Sequence, residues 1–339
     1  MKLDKLVLAA LSLSMLAQPV LAAEEVNLYS ARKEALIKPL LDRFTANTGV
    51  KVNLVTGKAD ALLKRLQSEG RNTPADLFIT TDAGRLHRAR VAGVLQSIDS
   101  ASLNAVVPAQ YRDPAGYWFG LSLRARPIMY VKSRVKASEL ASYEDLANAK
   151  WKGRICIRSS SNIYNQSLVA SMIAARGEQK TEQWAKSFVA NLARPPKGGD
   201  RDQIKAAAAG QCDIAIANTY YLGQMLTGKK ADQKAAAEKV AVFWPNQADR
   251  GTHVNISGAG VIRNAKNRDN AVKLLEFLVG DESQAWYGDV NNEYPVRFGI
   301  SIKQTLKNWG EFKSDSLNLS HLGEYNSAAV RLMDRAGWK

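Results

Sequence analysis

The stretch "EVNLYSARKEALIKPLLDRFTANTGVKVNLVTG", residues 25–57, decides the fold class. Its first residues alternate between apolar and polar, which predicts a strand, and "EALIKPLLDRFTANTG" is an amphipathic helix pattern that ends at Gly49. "VKVNLVTG" then predicts a second strand. The following segments repeat this order as helix "ADALLKRLQSEG", strand "ADLFITTD" and helix "AGRLHRARVAGVL". The resulting β-α-β-α-β-α order predicts a parallel sheet that is covered by helices on both faces.

A second α/β unit is predicted further along the chain. The strands of "YWFGLSLRARPIMYVKS" are followed by the strand "GRICI", by the helical pattern of "NQSLVASMIAARGEQKTEQWAKSFVANLA", and by a further strand in "GQCDIAIAN". Polar, glycine-containing segments at 197–202 and 246–253 predict loops. We therefore expect two α/β lobes, with the chain crossing between them near "LSLRAR" and again within "TGKK…NQADRG".

Composition and the N-terminal residues indicate the class of protein. The chain has 339 residues, 46% of them hydrophobic, which is enough for two domains with a sizeable core. Residues 1–23 combine a positive start, an apolar run and small final residues, which is typical of a secretory signal peptide. No later run approaches the roughly 20 apolar residues of a membrane span. We therefore expect an exported mature chain.

The charge balance and the first strand exclude some ligands. The formal net charge is +15, which favours anions or anionic surfaces as partners. An exported protein rarely meets nucleic acid, so we do not expect a nucleic-acid partner. A dinucleotide site is also disfavoured, because "LYSARKEA" after the first strand does not match G-x-G-x-x-G.

The chain contains two cysteines, Cys156 and Cys212, and both lie in short apolar segments. Two cysteines on neighbouring strands form either a disulfide or a pair of buried thiols, and an oxidising compartment favours the disulfide. A zinc site is disfavoured, because two cysteines and three histidines fit no ligand spacing.

An unusual pair of adjacent phenols follows one of the predicted strands. Tyr220 and Tyr221 stand in "IAIANTYYLGQM", residues 214–225, and "RSSSNIY" follows the strand "GRICI" in the same way. Ligands of parallel sheets bind outside the carboxyl ends of the strands. Neighbouring residues of a strand point to opposite faces, so the backbone must turn at "NTYYLG" if both phenols face one ligand.

These motifs together resemble the periplasmic ferric-ion-binding proteins of ABC-type iron importers, which are solute-binding proteins with a transferrin-like fold. The similarity covers the whole mature chain, and the motifs most specific for the ligand are "SSSNIYNQS" and "NTYYLG". It implies an α/β, two-lobed periplasmic-binding-protein fold with a hinge and central mixed, mostly parallel sheets. It further implies that Tyr164, Tyr220 and Tyr221 coordinate Fe(III). Hard, highly charged ions favour anionic oxygen ligands such as phenolate, which agrees with this assignment.

The sequence departs from the family pattern in the N-terminal lobe. Many members carry a metal-binding His four residues after the tyrosine of the first strand, whereas here Tyr29 is followed by Lys33 and Glu34. In another branch a Glu follows the third strand, where this chain has Thr81. Three tyrosines would leave an octahedral ion half coordinated. The resemblance therefore implies that carbonate, citrate, phosphate or water completes the shell.

The expected anion site rests on one arginine and a helix start. Arg124 matches the family arginine that faces the site, and Arg126 is an alternative on the same strand face. Ser161 and Asn162 are further candidates, because they precede the helix "NQSLVASMI". Tyr29 is expected to pack or to make a hydrogen bond near the site.

The expected organisation comprises a signal peptide, 1–23, and two lobes. Residues 24–124 with 252–300 form the N-terminal lobe, and 125–251 with 301–339 form the tyrosine-bearing lobe. The resemblance implies a periplasmic monomer that delivers iron to an inner-membrane ABC permease and has no enzymatic activity. The alternative is a binding protein for an organic solute, such as a polyamine, thiamine or a phosphonate, in which the tyrosines form aromatic walls. An exported enzyme is a third possibility, but no catalytic group is indicated.

Overall fold

The computed structural model describes residues 24–339, so the predicted signal peptide lies outside the described residues. Within this range the strands are β1 Glu25–Ser30, β2 Lys51–Thr56, β3 Leu77–Thr81, β4 Phe119–Ala125, β5 Ile128–Val131, β6 Ile155–Cys156, β7 Ile214–Ile216, β8 Val240–Phe243, β9 Val254–Val261 and β10 Tyr294–Pro295.

The helices of the same range are α1 Lys38–Thr48, α2 Ala59–Glu69, α3 Ala83–Val91, α4 Ala101–Val106, α5 Ile163–Arg176, α6 Glu178–Ala190, α7 Asp200–Ala208, α8 Thr219–Thr227, α9 Ala231–Ala237, α10 Arg268–Val279, α11 Asp281–Asp289, α12 Gln304–Lys307, α13 Ser320–Glu324 and α14 Asn326–Arg335. None of the described helices is long and apolar enough to cross a membrane.

The N-terminal segment folds in the predicted β-α-β-α-β-α order. Helix α1 ends at Gly49, whose φ of 76° is a left-handed conformation that glycine adopts without steric cost. Its start differs from the prediction, because residues Glu34–Leu36 form a 3-10 turn and the α-helix begins at Lys38. Pro39 explains the difference, since proline is tolerated in the first turn of a helix but not in its interior.

The strands form two sheets, which define the two lobes. Lobe 1 is built on the sheet β10-β4-β9-β3-β1-β2, and lobe 2 is built on the sheet β6-β7-β5-β8. The predicted two-lobed α/β fold with mixed sheets is confirmed. Among the described strands, however, three pairings are parallel and five are antiparallel. Most strands of each sheet share one direction, as expected, but β9, β10 and β5 run against it, so most of the pairings are antiparallel.

The chain passes between the sheets at two places. Strand β4 of lobe 1 leads to β5 of lobe 2 through Arg126 and Pro127, and β8 of lobe 2 leads to β9 of lobe 1 through residues 244–253. Each lobe has its own apolar core, the first around Leu28, Ile79 and Ile256, and the second around residues that include Ile155, Leu168 and Phe188.

The C-terminal segment contacts both lobes. Leu319 and Leu322 pack into the core of lobe 1, whereas Leu332 and Trp338 pack into the core of lobe 2. The expectation that all of 301–339 accompanies the tyrosine-bearing lobe thus differs from the packing of residues 319–322. The short helix α13 contacts both α3 of lobe 1 and α5 of lobe 2, and it thereby connects the lobes.

Candidate metal centre

The three candidate tyrosines lie where two neighbouring strands of lobe 2 end. Strands β6 and β7 pair in parallel, so the segments that follow them leave the same edge of the sheet. Tyr164 is in the first turn of α5, and Tyr220 and Tyr221 are in the first turn of α8. The predicted backbone turn at "NTYYLG" is therefore a strand-to-helix junction.

The helical turn brings the phenols together. The hydroxyl of Tyr220 donates to the hydroxyl oxygen of Tyr164 at 3.3 Å. The rings of Tyr220 and Tyr221 have centroids 4.3 Å apart. All three side chains line one cleft of about 240 Å³ between the lobes. Three phenol oxygens therefore converge on a single space, which is the arrangement that a hard cation requires.

Burial holds Tyr220 and Tyr221 in the protonated form at neutral pH. Burial, followed by the charges of Tyr164 and Tyr221, raises the pKa of Tyr220 well above the ordinary value of 10. Burial and then the charges of Tyr164 and Asp200 raise the pKa of Tyr221 to about 12. A bound cation must consequently displace these protons, so its affinity must depend on pH.

Each of the three rings has a guanidinium above it. Arg158 lies 5.7 Å from the Tyr164 centroid, Arg124 lies 5.8 Å from that of Tyr220, and Arg201 lies 4.9 Å from that of Tyr221. Arg124 lowers the pKa of Tyr220 and Arg158 lowers that of Tyr221, each against the larger effect of burial. The sequence analysis named neither Arg158, which opens "RSSSNIY", nor Arg201, which belongs to no tyrosine motif.

The structure distinguishes the two candidate arginines of β4. Arg124 is buried and lines the cleft, and one of its amino groups donates to the hydroxyl of Ser257, while its Nε and Nη1 have no hydrogen-bond partner. Arg126 instead pairs with Asp200, Nη1 to Oδ2, at 3.0 Å, and it also bonds the side chains of Asn165 and Asn218. Of these two arginines, Arg124 is the one that lines the cleft with unpaired donors.

The remaining predicted site residues lie elsewhere. Asn162 caps α5, its carboxamide oxygen accepting from the backbone N–H of Tyr164 at 3.1 Å, and Ser161 is exposed with its hydroxyl against that of Ser159. Neither lines the cleft. Tyr29 packs in a separate apolar cluster of lobe 1, where its hydroxyl donates to Glu69 at 2.9 Å. It therefore makes the expected packing and hydrogen bond, but away from the phenols.

Lobe 1 covers the cleft with charged side chains. Arg32 and Glu293 form a buried ion pair at 3.0 Å, with Ser122 bonded to both, and Lys33 lies beside them at the rim. Thr81 also lines the cleft. Glu293 escaped the sequence analysis, because it lies 72 residues after Tyr221 and next to no recognisable signal. We find no cluster of three His, Cys, Asp or Glu side chains suited to a metal among residues 24–339.

Lobe 1 meets the tyrosine-bearing helix at two asparagines. The side-chain amide of Gln224 donates to the carbonyl oxygen of Asn291 at 3.5 Å. A Cβ atom at Gly223 would lie 2.8 Å from Cβ of Asn292, which itself has a φ of 55°. The absence of a side chain at Gly223 therefore permits the close approach of the lobes beside Tyr220 and Tyr221.

The two cysteines are joined by a disulfide, with Cα atoms 5.9 Å apart. Cys156 ends β6, and Cys212 lies just before β7. The bond thus links the two strands that lead to the tyrosines.

The chain is similar to several known proteins. Residues 29–285 match the family model described as bacterial extracellular solute-binding protein. The chain is 52% identical over 316 residues to iron uptake protein A1 of Synechocystis, spanning 93% of this chain and 88% of that protein. It is 45% identical over 316 residues to iron uptake protein A2 of the same organism, spanning 93% and 90%.

A solved structure from Trichodesmium, described as IdiA or FutA in complex with iron and citrate ligands, superimposes with a TM-score of 0.91. It is 55% identical in sequence and covers 93% of this chain and all of its own. The chain belongs to the bacterial extracellular solute-binding proteins, among relatives that include the iron uptake proteins of Synechocystis.

Proposed function

We propose that this protein captures Fe(III) through the phenolate oxygens of Tyr164, Tyr220 and Tyr221. The observation that carries the proposal is the convergence of these three phenols on one cleft, with a guanidinium above each ring. Phenolate is a ligand of iron in other proteins, and a hard trivalent cation favours anionic oxygen. The Trichodesmium relative, which is described as in complex with iron and citrate, supports iron as the bound ion.

An exogenous anion completes the iron shell in this proposal. Arg124 offers two buried donors, Nε and Nη1, that have no protein partner, and a guanidinium binds planar carboxylate-like anions through two hydrogen bonds. Carbonate or another small anion such as citrate fits this requirement. Ser161 and Asn162 are not needed for it, since neither side chain reaches the cleft.

The mode of action follows from the two lobes. Residues 24–124 with 252–300 move as one body, and 125–251 carries the tyrosines in the other, with hinges at the two crossings. Iron binds to lobe 2, lobe 1 closes over it, and the closed form docks on an ABC permease in the inner membrane. The protein acts in the periplasm as a monomeric carrier and catalyses no reaction.

The test is a titration of metal-stripped protein, residues 24–339, with a ferric chelate, with and without bicarbonate, followed by visible absorption. We expect a tyrosinate-to-iron charge-transfer band that saturates near one iron per chain. The band should weaken as the pH falls, by up to about tenfold in affinity per pH unit for each displaced proton, because protons compete with iron for the phenolates. A protein that shows no band with any anion does not use these ligands, and an organic solute held by aromatic walls then becomes the better assignment.

A further inference from the structure

A buried polar network lies beneath the phenols, and none of its members lines the cleft. Its centre is Asp200, the first residue of α7, which lies in a segment that the sequence predicted to be a loop. One carboxylate oxygen of Asp200 pairs with Arg126 at 3.0 Å, and the other pairs with Arg158 at 3.2 Å. The backbone N–H of Asn218 donates to the same carboxylate at 2.8 Å.

The network connects both tyrosine-bearing segments. Arg126 donates to the side-chain oxygen of Asn165, the neighbour of Tyr164, at 2.6 Å. It also donates to the side-chain oxygen of Asn218, which precedes the helix of Tyr220 and Tyr221, at 2.9 Å. Asn165 in turn donates to the carbonyl oxygen of Arg158 at 2.7 Å. Asp200 therefore contacts the starts of α5 and α8 through one or two hydrogen bonds.

Burial makes this arrangement rigid. Asp200 and Arg126 are each 1% exposed, and Asn165 and Asn218 are buried as well. A buried charge that loses its partner is strongly destabilising, so the network has few alternative arrangements of similar energy. The helix starts that it connects are consequently held at fixed positions relative to each other.

We infer that Asp200 is a positioning residue, which holds the hydroxyl of Tyr164 against the hydroxyls of Tyr220 and Tyr221 in a preformed triad. The inference rests on the proposed function for its consequence, which is that lobe 2 offers iron three phenols without rearrangement. The geometric part concerns the protein's own side chains, whose hydroxyls at Tyr164 and Tyr220 lie 3.3 Å apart.

The chain contains a matched control. Asp213 also bridges two arginines, Arg134 at 3.1 Å and Arg154 at 2.6 Å, and it lies in the same lobe just before β7. It therefore resembles Asp200 in chemistry but lies at the opposite end of the strand from the phenols. Asp213→Asn reports what the loss of an aspartate bridge does to lobe 2 in general.

The experiment compares Asp200→Asn with Asp213→Asn and the unmodified protein, using ferric citrate and visible absorption. For Asp200→Asn we expect a 10- to 100-fold lower affinity, the usual effect of removing a partner that orients a metal ligand. We also expect a lower and shifted absorbance per bound iron, because one phenolate leaves the shell. Asp213→Asn should lower only the thermal midpoint and leave the absorbance per iron unchanged.

Crystal structures of the metal-free variants test the positioning role of Asp200 independently of the proposed iron binding. The hydroxyls of Tyr164 and Tyr220 should move apart in Asp200→Asn and stay together in Asp213→Asn. If they stay together in both, the positioning role is wrong, whatever the iron titration gives. If they separate in Asp200→Asn while the unmodified protein shows no iron band, the positioning role stands and the proposed function fails.

A milder variant covers the case in which Asp200→Asn does not fold. Asn165→Ala keeps the ion pairs of Asp200 and removes the link from Arg126 to the Tyr164 segment, together with the bonds from Asn165 to the carbonyl oxygens of Arg158 and Ser159. It should show the same spectral change with a smaller loss of affinity. Unchanged absorbance per iron and an unmoved Tyr164 in a folded Asn165→Ala protein would overturn the inference.

Discussion

The two lobes contribute different chemistry to the cleft between them. Lobe 2 supplies three phenols from two adjacent helix starts, whereas lobe 1 supplies Arg32, Lys33 and Arg124 and one carboxylate, Glu293. Proteins that take ligands for one ion from both lobes must close before the shell is complete. Here all three proposed ligands belong to lobe 2, so the proposed mechanism makes the capture of iron and the closing of the cleft separate steps.

Removing a phenol from lobe 2 should have the largest effect. Tyr220→Phe deletes one of three proposed iron–oxygen bonds, and we expect the affinity to fall by more than about 100-fold, beyond the usual effect of an outer partner. Competition of the variant with citrate for iron, read from the visible band, measures the loss. A thermal midpoint close to that of the unmodified protein would show that the chain still folds. Equal iron affinity would contradict the ligand assignment.

Removing Arg124 from lobe 1 should have an intermediate effect. Arg124→Gln abolishes the two free donors, so we expect a 10- to 100-fold loss of affinity that appears only when a stabilising anion is present. The measurement is the iron affinity of both proteins as a function of bicarbonate or citrate concentration. If the variant keeps its full dependence on the anion, Arg124 does not hold it.

A change at the contact between the lobes should affect release more than capture. In Gly223→Ala the new Cβ would lie 2.8 Å from Asn292, so closure should be hindered while the phenols remain in place. We expect a several-fold faster loss of iron to a chelator in stopped-flow measurements, with an unchanged visible spectrum. Asn292→Gly removes the opposing Cβ and also relieves the residue's positive φ, so the double variant should regain slow release. A spectrum that changes in Gly223→Ala would place its effect on the ligands instead.

The smallest effect is expected at Tyr29, the tyrosine of strand β1 in lobe 1. Tyr29→Phe removes the hydrogen bond to Glu69, which should reduce the free energy of unfolding by about 1 kcal/mol in urea denaturation. Its iron affinity and spectrum should equal those of the unmodified protein, because Tyr29 lies outside the cleft. A loss of iron affinity here would mean that lobe 1 supplies a ligand after all.

The sequence motifs predicted those features that depend on residues close together in the chain. The strand-to-helix junctions that carry Tyr164, Tyr220 and Tyr221 follow from hydrophobic patterns and resemblance, and so does the two-lobed architecture. The groups around the phenols could not be predicted in the same way. Arg201 and Glu293 line the cleft, and Arg158 lies over the ring of Tyr164, because segments that are distant in sequence meet there. No local sequence pattern marks such a meeting.

The same limit applies to Ser161 and Asn162, which do not line the cleft, and to the choice between Arg124 and Arg126. Ser161 and Asn162 precede a helix, which predicts an anion site, yet the Asn162 side chain already accepts the first free backbone N–H as a cap. Arg124 and Arg126 are equivalent in the strand pattern. Only the position of Asp200, 74 residues from Arg126 along the chain, distinguishes them.

The disulfide fixes the relative position of the two segments that carry the proposed iron ligands. Cys156 and Cys212 are 56 residues apart, and Tyr164 and Tyr220 are separated by the same number, so each tyrosine follows its cysteine at an equal distance along the chain. Strands β6 and β7 share only two paired positions, and a slip by one residue would displace one hydroxyl from the other by about 3.3 Å. The covalent bond forbids that slip. Formation of the disulfide therefore also fixes the spacing of the phenols. A chain with reduced cysteines should bind iron with lower affinity than the oxidised chain in the same titration.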